Sequence, residues 1–291
     1  MTMEPRKESV AAHYKLPWFL TYFAKILDFF SRSLATRFLW KIFSGPIKFK
    51  VPSRELDFYN KTKQTRININ SVGKKVILYR LPNDGNKLLF VHGWNGRSSQ
   101  FYRIIDLLSE EGFDITAVDL PGHGRSRKGN TSLPEITDVI YEISKTQGPY
   151  HALICHSFGG IAALNAVRYG SSYEKLVLIS PGVYKIEPMF KTFVGLFGLN
   201  EEDYTERMFN LAESKYGASP DEFSPGKFAN QIDINTLIIH CEDDKEAIKE
   251  IAENLHGELK NSILNLTTGL GHRRILRDAD VAEKITQFMK I

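Results

Sequence analysis

The chain has 291 residues, 42% of them hydrophobic, enough for one large core or two modest ones. Its net charge of +4 is uneven: residues 1–50 hold nine Lys/Arg against three acids, a net +6, which leaves −2 for residues 51–291. A body so near neutrality argues against nucleic acid as a partner, and two cysteines in this length point to a reducing compartment, not to a disulfide framework.

Leu16, Phe19/Leu20, Phe23, Ile26/Leu27, Phe30, Leu34 and Phe38 recur at helical spacing, with Lys25, Asp28, Arg32 and Thr36 on another face. The pattern predicts an amphipathic helical extension over residues 1–50, as one helix or two, ending before Gly45-Pro46. Two readings stand. The favoured one packs this apolar face on the body, as an extra layer or over the mouth of a site, because protein buries such faces more often than lipid does. The other is peripheral membrane contact through residues 16–43, carried by aromatic side chains and excess positive charge. Lys25, Asp28, Arg32, Arg37 and Lys41 interrupt the stretch, so it lacks the ~20 apolar residues of a span. Its uncharged core at 16–24 is short and contains Pro17, unlike a signal peptide. The expected location is therefore cytoplasmic, peripheral to the inner membrane surface on the second reading.

From residue 64 the pattern changes. Residues 64–70 and 75–80 alternate around a turn at 71–73, a hairpin. Residues 87–91 are a continuous apolar run of the kind buried on both faces of a parallel sheet. A helix at 98–111, a strand at 115–118, a helix at 133–147 and a strand at 152–154 follow, then a helix at 161–169. Further strands fall at 175–179, 236–240 and 263–266, with helices at 245–255 and 278–289. Such alternation predicts a mostly parallel sheet covered on both faces, with chemistry at the carboxyl ends of the strands.

Between the strand at 152–154 and the helix at 161–169 there is no room for an ordinary loop. The backbone must reverse at Ser157 within Cys155-His156-Ser157-Phe158-Gly159, which would push the hydroxyl out above the sheet and over a helix N-terminus. That is the placement of a nucleophile for covalent catalysis. The plain alternative for the segment standing alone is a serine at a tight turn with no base to activate it.

The stretches LLFVHGWNGRSSQF, VDLPGHGRS, CHSFGG, LIIHCEDD and GLGHRRIL resemble successive signatures of the α/β-hydrolase fold, over roughly residues 64–291. They are most similar to a bacterial subgroup with HGW near the third strand and GLGHRRILRD near the end. The resemblance implies an eight-stranded, mostly parallel sheet with helices on both faces, and a serine, acid, histidine order. That order leaves His256 and His272 as bases. His256 ends a helical stretch, whereas His272 follows the last strand within a glycine-rich loop, and is the expected base. Glu242, Asp243 and Asp244 follow the penultimate strand. The related pattern H-G-x-x-D places the acid on Asp244, with Asp243 in reserve and the others as a solvated helix start.

The oxyanion hole implied by the family is the backbone N–H of Trp94 and of Phe158. Asn95 would donate into the pocket or simply form the turn. His92, His123 and His156 are expected to be structural or to line the pocket, and Arg273 and Arg274 to be solvated unless the substrate is anionic. Cys155 and Cys241 replace expected glycines; with one strand between theirs they would stand roughly 9 to 10 Å apart, too far for a disulfide. Residues 183–229 occupy the usual place of a lid and are rich in Phe and Met. Phe190 and Phe193 are the pocket candidates there, and anchoring of helices to the sheet is the alternative.

The expectation is a serine hydrolase acting on a small-molecule ester of a small or medium apolar acyl group, with no metal or organic cofactor. Amide, thioester or C–C hydrolysis, or acyl transfer, would use the same site. The contrasting expectation is a non-catalytic binding or membrane-associated protein that kept the fold. Dimerisation through the N-terminal segment is left open.

Overall fold

A computed structural model describes residues 16–291; residues 1–15, the first part of the extension, lie outside the described residues. Helices α1 (Trp18–Phe30), α2 (Arg32–Phe43) and α3 (Leu56–Lys61) precede strands β1 (Lys63–Ile69), β2 (Lys74–Leu81) and β3 (Lys87–Val91). Then come α4 (Tyr102–Glu110), β4 (Asp114–Asp119), α5 (Leu133–Gln147), β5 (Ala152–His156), α6 (Phe158–Arg168) and β6 (Lys175–Ile179). Two helices, α7 (Ile186–Gly195) and α8 (Glu201–Tyr216), separate β6 from β7 (Asn235–Cys241). The chain ends with α9 (Lys249–Glu258), β8 (Ser262–Thr267), the single turn α10 (Gly271–Arg274) and α11 (Ala279–Lys290).

The eight strands form one sheet in the order β1-β2-β4-β3-β5-β6-β7-β8. β1 and β2 run antiparallel as the expected hairpin, β2 pairs antiparallel with β4, and all other pairs are parallel. Because side chains alternate across a strand, Phe90, Ile154, Val177 and Ile239 enter one core with Ile104, Ile105 and Leu108 of α4 and Ile285 of α11. Intervening residues such as Leu89, Leu153 and Leu178 are fully buried on the opposite face, where Gly160 of α6 lies close against Leu178. A sheet buried on both faces explains why its central strands read as unbroken apolar runs.

By compactness the chain forms two units. One comprises Ser44–Tyr184 with Phe223–Ile291, the sheet and its covering helices. The other joins residues 16–43 to Lys185–Glu222, so its helices are α1, α2, α7 and α8. Within this helical unit Phe43 meets Phe190 at 4.4 Å and Phe193 at 5.0 Å between ring centroids, and Phe38 meets Phe197 at 6.4 Å. Tyr204 donates a hydrogen bond to Asp28 at 2.6 Å. The sequence division at 50 and 64 thus differs from the compact units, because aromatic pairing ties the N-terminal helices to the β6–β7 insertion.

On α1, Phe19, Phe23, Ile26 and Phe30 are exposed, as is Leu34 of α2, and the side of α1 that packs within the helical unit is built around fully buried Ala24. Two helix starts shift. The first helix after the elbow begins at Phe158, directly after the serine. The helix expected from 245 begins at Lys249, because Asp244 accepts hydrogen bonds from the N–H groups of Glu246 and Ala247 and holds those residues in a turn.

Candidate active site

Ser157 sits between β5 and α6 with φ 51° and ψ −121°, a conformation that costs an L-residue strain and that a surrounding structure must impose. Here the imposition is visible. The Ser157 N–H is tied to the Ile179 carbonyl at 2.9 Å. A Cβ on Gly159 would lie 2.6 Å from the His92 carbonyl oxygen and 2.7 Å from that of Val91, so only glycine lets α6 start this close to β3. Cys155, one strand residue away, turns its thiol into the core, where burial pushes its pKa well up and keeps it a thiol.

The Ser157 hydroxyl lies 2.9 Å from Nε2 of His272, and Nδ1 of His272 lies 2.7 Å from Oδ2 of Asp244. Asp244 cannot donate while ionised, so the proton between them sits on Nδ1 and leaves Nε2 as an acceptor facing the serine. Burial opposes ionisation of Asp244. The hydrogen bond and charge of His272, with the N–H groups of Ala247 and Glu246, outweigh that penalty and hold its carboxyl below the usual range. The structure therefore brings together the expected Ser157, His272 and Asp244 from the ends of β5, β8 and β7. Asp243, the reserve acid, instead accepts from the Gly269 N–H at 2.8 Å.

Phe158 opens α6, where the first N–H groups have no acceptor within the helix and point past its end. Gly93 is so close to the serine that a Cβ there would be 2.8 Å from the Ser157 Cβ, which brings the backbone leading to Trp94 beside it. The Trp94 ring meets Phe158 at 5.4 Å and His123 at 5.2 Å. Asn95 takes φ 58° in the turn, and its side-chain carbonyl accepts from the Ile47 N–H at 2.7 Å, tying the turn to the segment after α2. Phe190 is buried, with its ring against Phe43 and Phe209, and Phe193 packs on Phe43 and Phe197. Both rings serve as anchors inside the helical unit. Arg273 pairs with Glu246, and Arg274 donates to the carbonyls of Leu270 and Gly269.

His92, His123 and His156 hold loops. His92 donates through Nδ1 to the Gly93 carbonyl and accepts at Nε2 from the Leu120 N–H. His123 donates to the Pro121 carbonyl; burial, then the neighbouring His92, push its pKa down to about 3. His156 donates through Nε2 to the backbone carbonyl of His272 at 2.8 Å, with the two rings 4.7 Å apart. Burial, reinforced by His272, holds His156 neutral.

Two features escaped the sequence. The Cys241 sulfur accepts the N–H groups of Gly271 at 3.1 Å and Leu270 at 3.3 Å and donates to Asp243 at 2.8 Å, so a supposed glycine replacement fastens the loop that carries His272. The second is the Glu55–Arg97 ion pair, closed by hydrogen bonds of 2.7 and 3.0 Å with both side chains over nine-tenths buried, and joined by Ser99. A lone glutamate before the first strand carries no local pattern that could reveal it. For Cys241, its position at the end of a strand facing the GLGH loop was the available signal.

A serine at a strained strand-to-helix turn, linked through histidine to a buried aspartate on this strand order, defines a class. The chain belongs to the alpha/beta hydrolase family, whose model matches residues 88–284. An uncharacterized hydrolase of Bacillus subtilis, YugF, is 25% identical over 262 residues, covering 75% of this chain and 95% of that protein. The pimeloyl-[acyl-carrier protein] methyl ester esterase of Wigglesworthia glossinidia brevipalpis is 24% identical over 220 residues, covering 75% of this chain and 76% of that protein. An esterase from Exiguobacterium antarcticum superposes with a TM-score of 0.57 at 20% identity, over 78% of this chain and 98% of its own. A thermophilic esterase from Thermogutta terrifontis gives 0.61 at 16% identity, over 78% and 98%. These two solved structures share the fold.

Proposed function

We propose that this hydrolase is a serine esterase acting on esters of small or medium apolar acyl groups, with Ser157, His272 and Asp244 as its catalytic triad. The hydrogen-bonded chain from Ser157 through His272 to Asp244 carries the reading. In the first half-reaction His272 Nε2 takes the hydroxyl proton as Oγ bonds to the ester carbonyl carbon. The negative charge on the carbonyl oxygen is met by the N–H groups of Phe158 and Trp94, worth about 3–4 kcal/mol per donor in such sites. Collapse breaks the C–O bond to the alcohol, which leaves with the proton from His272. Water then repeats the sequence on the acyl-enzyme, with His272 again as base, and releases the acid. Asp244 stays ionised throughout, fixing the imidazole tautomer and stabilising the imidazolium.

Ester chemistry is supported by relatives described as esterases, one of them a methyl ester esterase. The contrary reading, a fold kept without catalysis, rested on the two cysteines and on the basic amphipathic N-terminus; the cysteines sit beside an intact Ser157–His272–Asp244 hydrogen-bonded chain, which favours catalysis. A fluorophosphonate probe tests the nucleophile. The expected outcome is a single adduct that maps to Ser157 and is absent in Ser157→Ala; folded protein that takes up no probe contradicts the proposal.

A further inference from the structure

Helix α1 presents an unusual surface. Placed at 100° per residue, Lys25, Trp18, Phe29, Tyr22, Ile26, Phe19, Phe30 and Phe23 fill one continuous arc of about 160°, and all eight are exposed. Trp18 is 77% exposed, Phe29 85% and Phe30 76%. The opposite side, with Leu20, Ala24, Leu27 and Asp28, is the less exposed one, and Asp28 is engaged by Tyr204. An arc of seven large apolar side chains left in water costs solvation free energy, so it implies a surface that covers it.

We infer that α1 docks on an anionic lipid surface, lying in the headgroup plane with its aromatic arc in the acyl boundary. Three observations select this occupant. The arc is Trp, Tyr and Phe, residues that settle at the boundary between headgroups and hydrocarbon. Its one charged member, Lys25, is exposed at the edge of the arc with its Cε and Nζ beside Gly198, so the aromatic face itself carries no charge and the ammonium can stay among phosphates when that face is buried. Residues 16–43 carry four Lys/Arg against the single acid Asp28. Arg32 already meets Asp203 of α8 at 3.7 Å; with that pair set aside, α1 and α2 keep an excess of positive charge, which a second copy would set against itself and anionic lipid neutralises. Apart from Asp28, the acidic residues of the helical unit lie on α7, on α8 and at 221–222. No helix among the described residues is long and apolar enough to cross a membrane, in keeping with an in-plane helix.

The test is co-sedimentation of the full chain with vesicles of phosphatidylcholine alone and of phosphatidylcholine mixed with phosphatidylglycerol, beside Trp18→Ser/Phe29→Ser. These substitutions leave the packed side of α1 untouched. Expected are binding that requires phosphatidylglycerol, weakens with salt, and falls by about tenfold or more in the double variant, whose turnover of a soluble ester is unchanged. The inference is overturned if the wild type stays in the supernatant with both vesicle types, or if the double variant binds as well as the wild type. A wild-type dimer that the double variant converts to monomer, without vesicle binding, would assign the arc to a second copy instead.

Discussion

At the scale of single residues, the position of His272 is set by groups outside the Ser157–His272–Asp244 chain. Its loop is fastened at three consecutive points: Asp243 on the Gly269 N–H, Cys241 on the Leu270 and Gly271 N–H groups, and His156 on the His272 carbonyl. A triad histidine displaced by a fraction of an ångström loses its alignment with the serine, so these contacts act on kcat through geometry. Cys241→Ala removes the sulfur acceptor and leaves two N–H groups without it. The expected result is a fall in kcat of about tenfold with little change in KM, and a stability loss of about 1–3 kcal/mol. Steady-state kinetics and urea unfolding of the variant check both; wild-type kcat would show that the sulfur merely fills space. The sequence showed Cys241 as an oversized glycine. Only the return of the GLGH loop onto β7 shows it as an acceptor.

At the scale of elements, the strands were legible because a parallel sheet buried on both faces leaves an unbroken apolar signature, as in Leu88 to Val91 and Leu176 to Ile179. Helix α1 was legible as a helix, and the side it packs on within its unit was not. Periodicity identifies a stripe but not its partner, and here compact Ala24 marks the contact side while the aromatics stay outside. The start of α9 was hidden because Asp244 bonds its own following backbone. The segment from Arg97 to Phe101 depends on an interaction 42 residues away in sequence, the buried Glu55. Glu55→Gln leaves the Arg97 guanidinium buried without a compensating charge, and about 3–5 kcal/mol of stability should be lost. A shift in urea midpoint measures it; a loss below about 1 kcal/mol would place the pair in the class of surface salt bridges.

At the scale of the molecule, four buried histidines set its response to acid. His92, His123, His156 and His240 all have pKa values lowered primarily by burial. A base with its folded pKa below its unfolded one binds fewer protons when folded. Its effect is absent above the unfolded value near 6.5, and stability falls as pH drops below that until the folded pKa is reached. Each such histidine contributes a slope of up to about 1.4 kcal/mol per pH unit. Asp244 has the opposite dependence: its lowered pKa stabilises above the ordinary carboxyl range and is lost only as pH falls below it. Between pH 7.5 and 5 the histidines therefore dominate. Unfolding free energy measured across that window should decline steeply below 6.5, and a flat profile would contradict the burial of these rings.

The central claim is that Ser157 is the nucleophile of an ester hydrolase, and hydrolysis of p-nitrophenyl esters from acetate to decanoate by wild type and Ser157→Ala tests it most directly. Expected are turnover by the wild type with an optimum among the shorter and medium chains, and a loss of at least about a thousandfold in the variant. Folded wild type that cleaves no ester in the series, or a Ser157→Ala protein that cleaves them equally well, would contradict it.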